Sequence, residues 1–166
     1  MEIQYCSKNV SLDHKEAILN ALDEFCDLLA IPKHLVHITH GAAAVLNGIR
    51  DTTNDIDINI LGVNVWSMLQ NLKMGLKVRH DMLGINPGAD VIYIGQLQLH
   101  WQDEIDLTTE VSNIRGYLVS TKYQILVERI KLGRDKDRQE AIMLLPKHFN
   151  TLPKYLQERA SILGWV

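Results

Sequence analysis

The stretch His40-Gly41-Ala42-Ala43-Ala44-Val45-Leu46-Asn47-Gly48-Ile49-Arg50-Asp51-Thr52-Thr53-Asn54-Asp55-Ile56-Asp57-Ile58-Asn59-Ile60 decides how this chain is read. From Asp55 to Ile60 polar and apolar residues alternate without a break, which predicts a strand with one face of each kind. Two positions apart on such a strand, Asp55 and Asp57 leave the same face, their Cα atoms roughly 6.5–7 Å apart. Aspartate is disfavoured in strands, and two on one face repel each other. A cation held between them removes that penalty. Oxygen-only ligands suit a hard metal, Mg²⁺ or Mn²⁺, which keeps water and phosphate in its shell. The plainer reading of an isolated Asp-x-Asp is a solvated edge-strand face, since exposed carboxylates are ordinary.

The residues just upstream alter that balance. Ala42 to Leu46 favour helix, and Asn47-Gly48 is a stop signal. A helix opening at Gly41 points free N–H groups and its positive dipole end at an anion, and Gly41 has no Cβ to hold a phosphate off the backbone. Small residues in a row usually serve close helix packing instead. Followed by Arg50, Thr53 and the aspartate pair, they describe a phosphate site facing a metal site.

The run from His40 to Ile58 resembles the signature of the nucleotidyltransferase superfamily, closest to small stand-alone members of the minimal and AbiEii-like types. That signature is a glycine pair or Gly-Ser, a short helix, a Gly-x-Arg-x-Thr turn and then Asp-h-Asp-h, where h is apolar. One departure is Ala42, which stands where the family has a second glycine or a serine. The resemblance implies a mixed β-sheet flanked by helices. It also implies Mg²⁺- or Mn²⁺-dependent transfer of a nucleoside monophosphate from an NTP, ATP included, to a hydroxyl of a small molecule, an RNA or a protein. Asp55 and Asp57 would bind the metal. A third carboxylate on a later strand is implied as well, and Asp106 in Glu104-Ile105-Asp106-Leu107 is the choice, with Glu104 as competitor. Gly41, Ala42, Arg50 and Thr53 would meet the nucleotide. Lys131-Leu132-Gly133-Arg134-Asp135-Lys136-Asp137 resembles the family's basic helical segment, one residue short between Lys131 and Arg134. Lys131, Arg134 or Lys136 would neutralise phosphates, with Asp137 holding one of them. A solvated, salt-bridged helix face is the plainer account of that run. A binding or regulatory protein that keeps the fold without turnover is the alternative function.

Working outward, Ala17, Ile18, Ala21, Leu22, Phe25, Leu28 and Leu29 recur at three- and four-residue steps. They predict an amphipathic helix over Leu12 to Leu29, capped by Ser11 or Asp13 and ended by Ile31-Pro32. Leu35 to Thr39 predicts a strand, Val65 to Leu72 a helix and Asn86-Pro87-Gly88 a turn. Val91 to Leu107 is β-like, with a bend at Asp103. Helices are predicted from Thr121, over Gln139 to Leu145, and over Leu152 to Leu163. The class is α/β or α+β: a single domain over 1–166, its core at about 35–110 and a helical C-terminal part at about 119–166. His34, His37 and His40 lack the geometry of a zinc site if Leu35 to Thr39 is a strand. His80 and His100 are candidates to orient a substrate. Trp165, taken as exposed, is a candidate contact for a homodimer or another protein partner.

The 166 residues suffice for one hydrophobic core. A formal charge of −3 gives no bulk attraction to nucleic acid or an anionic membrane. No apolar run approaches the ~20 residues of a membrane span, and Met1-Glu2-Ile3-Gln4 does not begin a signal peptide. Cys6 and Cys26 read as reduced thiols, so the expectation is a cytoplasmic protein without a membrane partner. Walker-type and dinucleotide-binding glycine motifs are absent.

Overall fold

A computed structural model of the chain describes residues 10–61, 91–94, 97–102 and 109–166. Its strands are β1 (Val36–Thr39), β2 (Asp55–Ile60), β3 (Val91–Ile94), β4 (Leu97–Gln102), β5 (Val111–Ile114) and β6 (Tyr117–Ser120). Its helices are α1 (Val10–Leu29), α2 (His40–Leu46), α3 (Lys122–Leu132), α4 (Arg138–His148) and α5 (Lys154–Ile162). The strands form one mixed sheet in the order β3-β4-β2-β1-β6-β5. The fold is therefore mixed α/β, with helices packed on the sheet and gathered again at the C-terminal end.

Register fixes which side of the sheet is dry. β1 runs antiparallel to β2 with Ile38 opposite Ile58 and Thr39 opposite Asp57. β4 runs parallel to β2 with Leu99 beside Ile56, and β6 parallel to β1 with Val119 beside Ile38. Val36, Ile38, Ile56, Ile58, Ile60, Leu97, Leu99, Tyr117 and Val119 thus share one face, and each is at most 1% exposed. Burial of each large side chain is worth roughly 1.5–3 kcal/mol, so a one-residue slip that turned them outward is strongly disfavoured. His37, Thr39, Asp55, Asp57, Asn59, Gln98, His100 and Ser120 take the opposite face.

α1 covers the apolar face with Ile18, Ala21, Leu22 and Phe25, all buried. Ser11 and Asp13 lie inside this helix, which starts earlier than its sequence signals suggest. Tyr117 donates its hydroxyl proton to Asp23 at 2.6 Å, and Lys33 pairs with the same carboxylate at 2.9 Å. Burial, followed by the Asp23 hydrogen bond, keeps the Tyr117 phenol protonated far above its ordinary range. The Cys26 thiol beside it is pushed up to about 11 by burial, which makes it a poor nucleophile.

Nothing in the alternation reading marks a strand between Leu107 and Thr121, yet the β5–β6 hairpin lies there. Its strands are four residues each, and Asn113 and Arg115 interrupt the apolar pattern. The two-residue turn is Arg115-Gly116, with φ of 52° and 90°. Positive φ at both turn positions suits the right-handed strand twist, and the second falls to glycine. The segments Val65 to Leu72 and Asn86-Pro87-Gly88 lie outside the described residues. Trp165 is not exposed: it is 8% accessible and belongs to the core, because the chain after α5 folds back onto α4. The dimer contact expected of it has no exposed indole to rest on.

His37 sits mid-sheet, 1% exposed, with Nε2 and Ser120 Oγ 2.9 Å apart. Burial pushes its imidazole down to about 4. Between roughly pH 6.5 and 4 the unfolded chain therefore takes up a proton that the native state refuses. The stabilising contribution is complete above about pH 6.5 and is lost progressively as pH falls towards 4, by up to about 3 kcal/mol. Buried His14, also lowered by burial, acts in the same direction. Thermal melts between pH 7 and 4 should show a falling Tm whose slope is reduced in His37→Gln; an unchanged slope rules His37 out as the responsible group.

Candidate functional site

Thr39 ends β1, and the chain turns at once into α2, whose residues Gly41 to Leu46 are buried. The helix stops where Asn47 Nδ2 donates to the Ala43 carbonyl at 2.8 Å and the Ser120 carbonyl at 2.9 Å. Gly48 then adopts φ of 75°, and Ile49 and Arg50 both donate backbone hydrogen bonds to Ala44. This tight return sends Arg50 back over the start of α2. A Cβ built on Gly41 would lie 2.6 Å from Arg50 Nη1 and 3.0 Å from Thr53 Oγ1. The missing side chain of Gly41 is thus filled by Arg50 and Thr53 of this chain.

The loop that follows is pinned from the first helix. Thr53 N–H donates to His14 Nε2 at 2.8 Å, while Thr53 Oγ1 donates to the Asp55 carbonyl at 3.1 Å. Asp55 and Asp57 then project from one face of β2, Asp55 with 59% of its side chain exposed. His100 of β4 has Nε2 3.6 Å from Asp55 Oδ1.

Across from the aspartates stands a network of arginines and acids. Glu140 of α4 accepts from Arg50 Nε at 2.7 Å through Oε1 and from Arg129 Nε at 3.1 Å through Oε2. Arg134 grips Asp137 with two donors, Nε at 2.7 Å and Nη2 at 3.0 Å. Arg129, with 3% of its side chain exposed, also lies 3.8 Å from Asp137. Burial alone would raise the Asp137 carboxyl, but the Arg134 hydrogen bonds and the Arg129 charge hold it below its ordinary range. The hydrogen bond to Asp137 raises Arg134 in turn.

Between these walls is a cleft of about 460 Å³ lined by His40, Gly41, Arg50, Thr53, Asp55, Asp57, Arg129, Leu132, Arg134, Lys136 and Asp137. No family model, curated protein or solved structure matches the chain. The geometry alone therefore carries the reading of the cleft.

Seven of the sequence-predicted site residues meet here: Gly41, Arg50, Thr53, Asp55, Asp57, Arg134 and Lys136. Ala42 does not line the cleft; it is fully buried, one residue too far round the helix. Lys131 and Arg134 do not share a helix face. Gly133 takes φ of 62° and ends α3, so Lys131 stays exposed on the helix while Arg134 turns into the cleft. Asp106 and Glu104 lie outside the described residues. Among the described residues no group of three or more His, Cys, Asp or Glu side chains is placed to hold a metal.

Sequence reasoning missed His14, His40, Arg129 and Glu140. Two of these carry a signal. Arg129 is four residues after Ile125, and His14 four before Ile18, so each is a polar group in phase with an apolar stripe. Such a residue needs a buried partner.

Gly41→Ala should push Arg50 off Glu140, because the guanidinium is clamped rather than free to swing. The expected cost is about 1–3 kcal/mol, read as a lowered Tm. A variant that melts with the wild type would show that Arg50 is not held in this place.

Proposed function

We propose that the protein is a metal-dependent nucleotidyltransferase with a nucleotidyltransferase-like fold. It would transfer a nucleoside monophosphate from an NTP to an acceptor hydroxyl and release pyrophosphate. What supports this most is one observation: a single cleft has two adjacent carboxylates of β2 on one wall and Arg134 and Lys136 on the other. Asp55 and Asp57 supply only oxygen donors, which fits Mg²⁺ or Mn²⁺ completed by phosphate and water. When bound, such a cation polarises the reacting phosphoryl group and offsets its charge.

The charge balance makes the cation necessary for binding as well. Among the described residues Arg50, Arg129, Arg134 and Lys136 are matched by Asp55, Asp57, Asp137 and Glu140, so these groups together offer no net positive charge. A bare triphosphate therefore meets no net attraction, and repulsion from Asp55 and Asp57 at close range. With that pair neutralised, Arg134 and Lys136 orient the phosphate chain for in-line attack. Positioning the acceptor falls to groups on the polar sheet face such as His100, whose Nε2 is 3.6 Å from Asp55 Oδ1.

A second reading is nucleotide binding without turnover. Two observations favour it: Arg50, Arg129 and Arg134 are already engaged by Glu140 and Asp137, and Ala42 offers neither a hydroxyl nor access to the cleft.

Labelled NTPs with Mg²⁺ or Mn²⁺ and a broad acceptor panel separate the two through pyrophosphate release and label transfer. Calorimetry should find NTP affinity only in the presence of the metal. Asp55→Asn with Asp57→Asn should weaken that affinity at least about 100-fold, on the order of 2.7 kcal/mol, without lowering Tm. Unchanged affinity in the folded double variant would remove the site from consideration.

A further inference from the structure

His40 lines the cleft but has no part in the chemistry above. It follows β1 directly and adopts φ of 51°, in the left-handed region that glycine enters freely and that other residues, histidine more often than most, enter at a modest cost. Among the described residues, four of the other six positive-φ positions are glycine: Gly48, Gly116, Gly133 and Gly164. Glycine would suit the backbone at position 40 at least as well, so the imidazole can be removed there without straining the chain.

The surroundings of the imidazole give it a use. His40 lines the cleft beside Gly41, with 40% of its side chain exposed. Its Nδ1 lies 3.8 Å from Glu128 Oε2 of α3. That oxygen is buried and makes no hydrogen bond among the described residues, while Oε1 accepts from Gln124 Nε2 at 3.4 Å. A buried carboxylate oxygen without a donor is costly, and His40 Nδ1, 3.8 Å away, is placed to supply one. Other titratable or charged groups near the imidazole are His37 of β1, Arg129 of α3 and the aspartates of β2. Of these groups and Glu128, the Glu128 carboxylate alone pairs with it.

We propose that His40 is a ligand-contacting residue, with Glu128 fixing the imidazole through Nδ1 so that Nε2 meets the phosphate chain of the bound nucleotide. This rests on the nucleotide-binding reading of the cleft. A carboxylate on one ring nitrogen fixes tautomer and ring orientation, which leaves the other nitrogen aimed at the ligand. Glu128 is then a positioning residue that acts only through His40.

The test uses the full chain, Mg²⁺ and a non-hydrolysable NTP, with His40→Gly, Glu128→Gln and the double variant followed by calorimetry and thermal melts. His40→Gly should keep Tm within about 3 °C of wild type or raise it. It should weaken affinity roughly ten- to a hundred-fold. Glu128→Gln should weaken affinity less, and should add nothing in the His40→Gly background. Wild-type affinity in His40→Gly overturns the proposal, as does a Glu128→Gln effect of equal size with and without His40. A loss of affinity accompanied by a larger fall in Tm also overturns it, since His40 would then be supporting the fold. Binding that responds to Asp55→Asn but not to His40→Gly overturns this proposal alone. A folded wild type that binds no nucleotide overturns the cleft reading and this proposal together.

Discussion

The carboxylate of Glu140 is the point on which the cleft depends. Its two oxygens are divided between Arg50 and Arg129, residues brought in by a loop after α2 and by α3. A partly buried ion pair of this kind is a weak source of net stability, because desolvation cancels much of the Coulomb attraction. Its effect is positional. It ties the loop leading into β2 to the C-terminal helices and sets the width of the space between the aspartates and Arg134. Gly41 belongs to the same arrangement: its bare Cα is the floor on which the Arg50 guanidinium lies. The second network, Arg134 with Asp137, repeats the logic on the neighbouring turn, where a cation is held rigid by an acid of its own chain.

Rigid cations and matched acids together make a preorganised polar space whose described charges balance. Preorganised donors cost no reorganisation when a ligand arrives, which is their advantage over mobile surface lysines. That balance has the opposite effect on encounter, since the described residues of the cleft set up no net field that gathers anions. Selectivity then lies with ligands that bring their own counter-ion, a requirement consistent with the proposed metal–nucleotide complex.

The sequence was most legible where one physical rule acts alone. Alternation in Asp55 to Ile60 and the three-and-four spacing of α1 are driven by burial of one face, and both elements are present, although α1 starts before its expected cap. The β5–β6 hairpin escaped because its strands are short and Asn113 and Arg115 mask the period, leaving only Gly116 as a cue. Lys131 and Arg134 were paired by spacing, but the left-handed Gly133 between them ended the helix and sent them apart. For the site, seven residues were found because they lie in or near two short motifs. Arg129 and Glu140 were not, since they lie outside those motifs and matter through their pairing, with Arg50 lying 90 residues before Glu140. Spacing cannot reveal that. A charge in phase with an apolar stripe can, and Arg129 is such a charge.

The pairing of β1 with β6 bears on how the molecule assembles. It joins His37 to Ser120 across 83 residues, just as Arg50 meets Glu140 across 90. Closing such loops costs more chain entropy than forming α1 or the β5–β6 hairpin, whose contacts are local. Both walls of the cleft come from segments on opposite sides of that closure. A complete cleft therefore requires that closure, and any ligand it takes stabilises the finished sheet against unfolding.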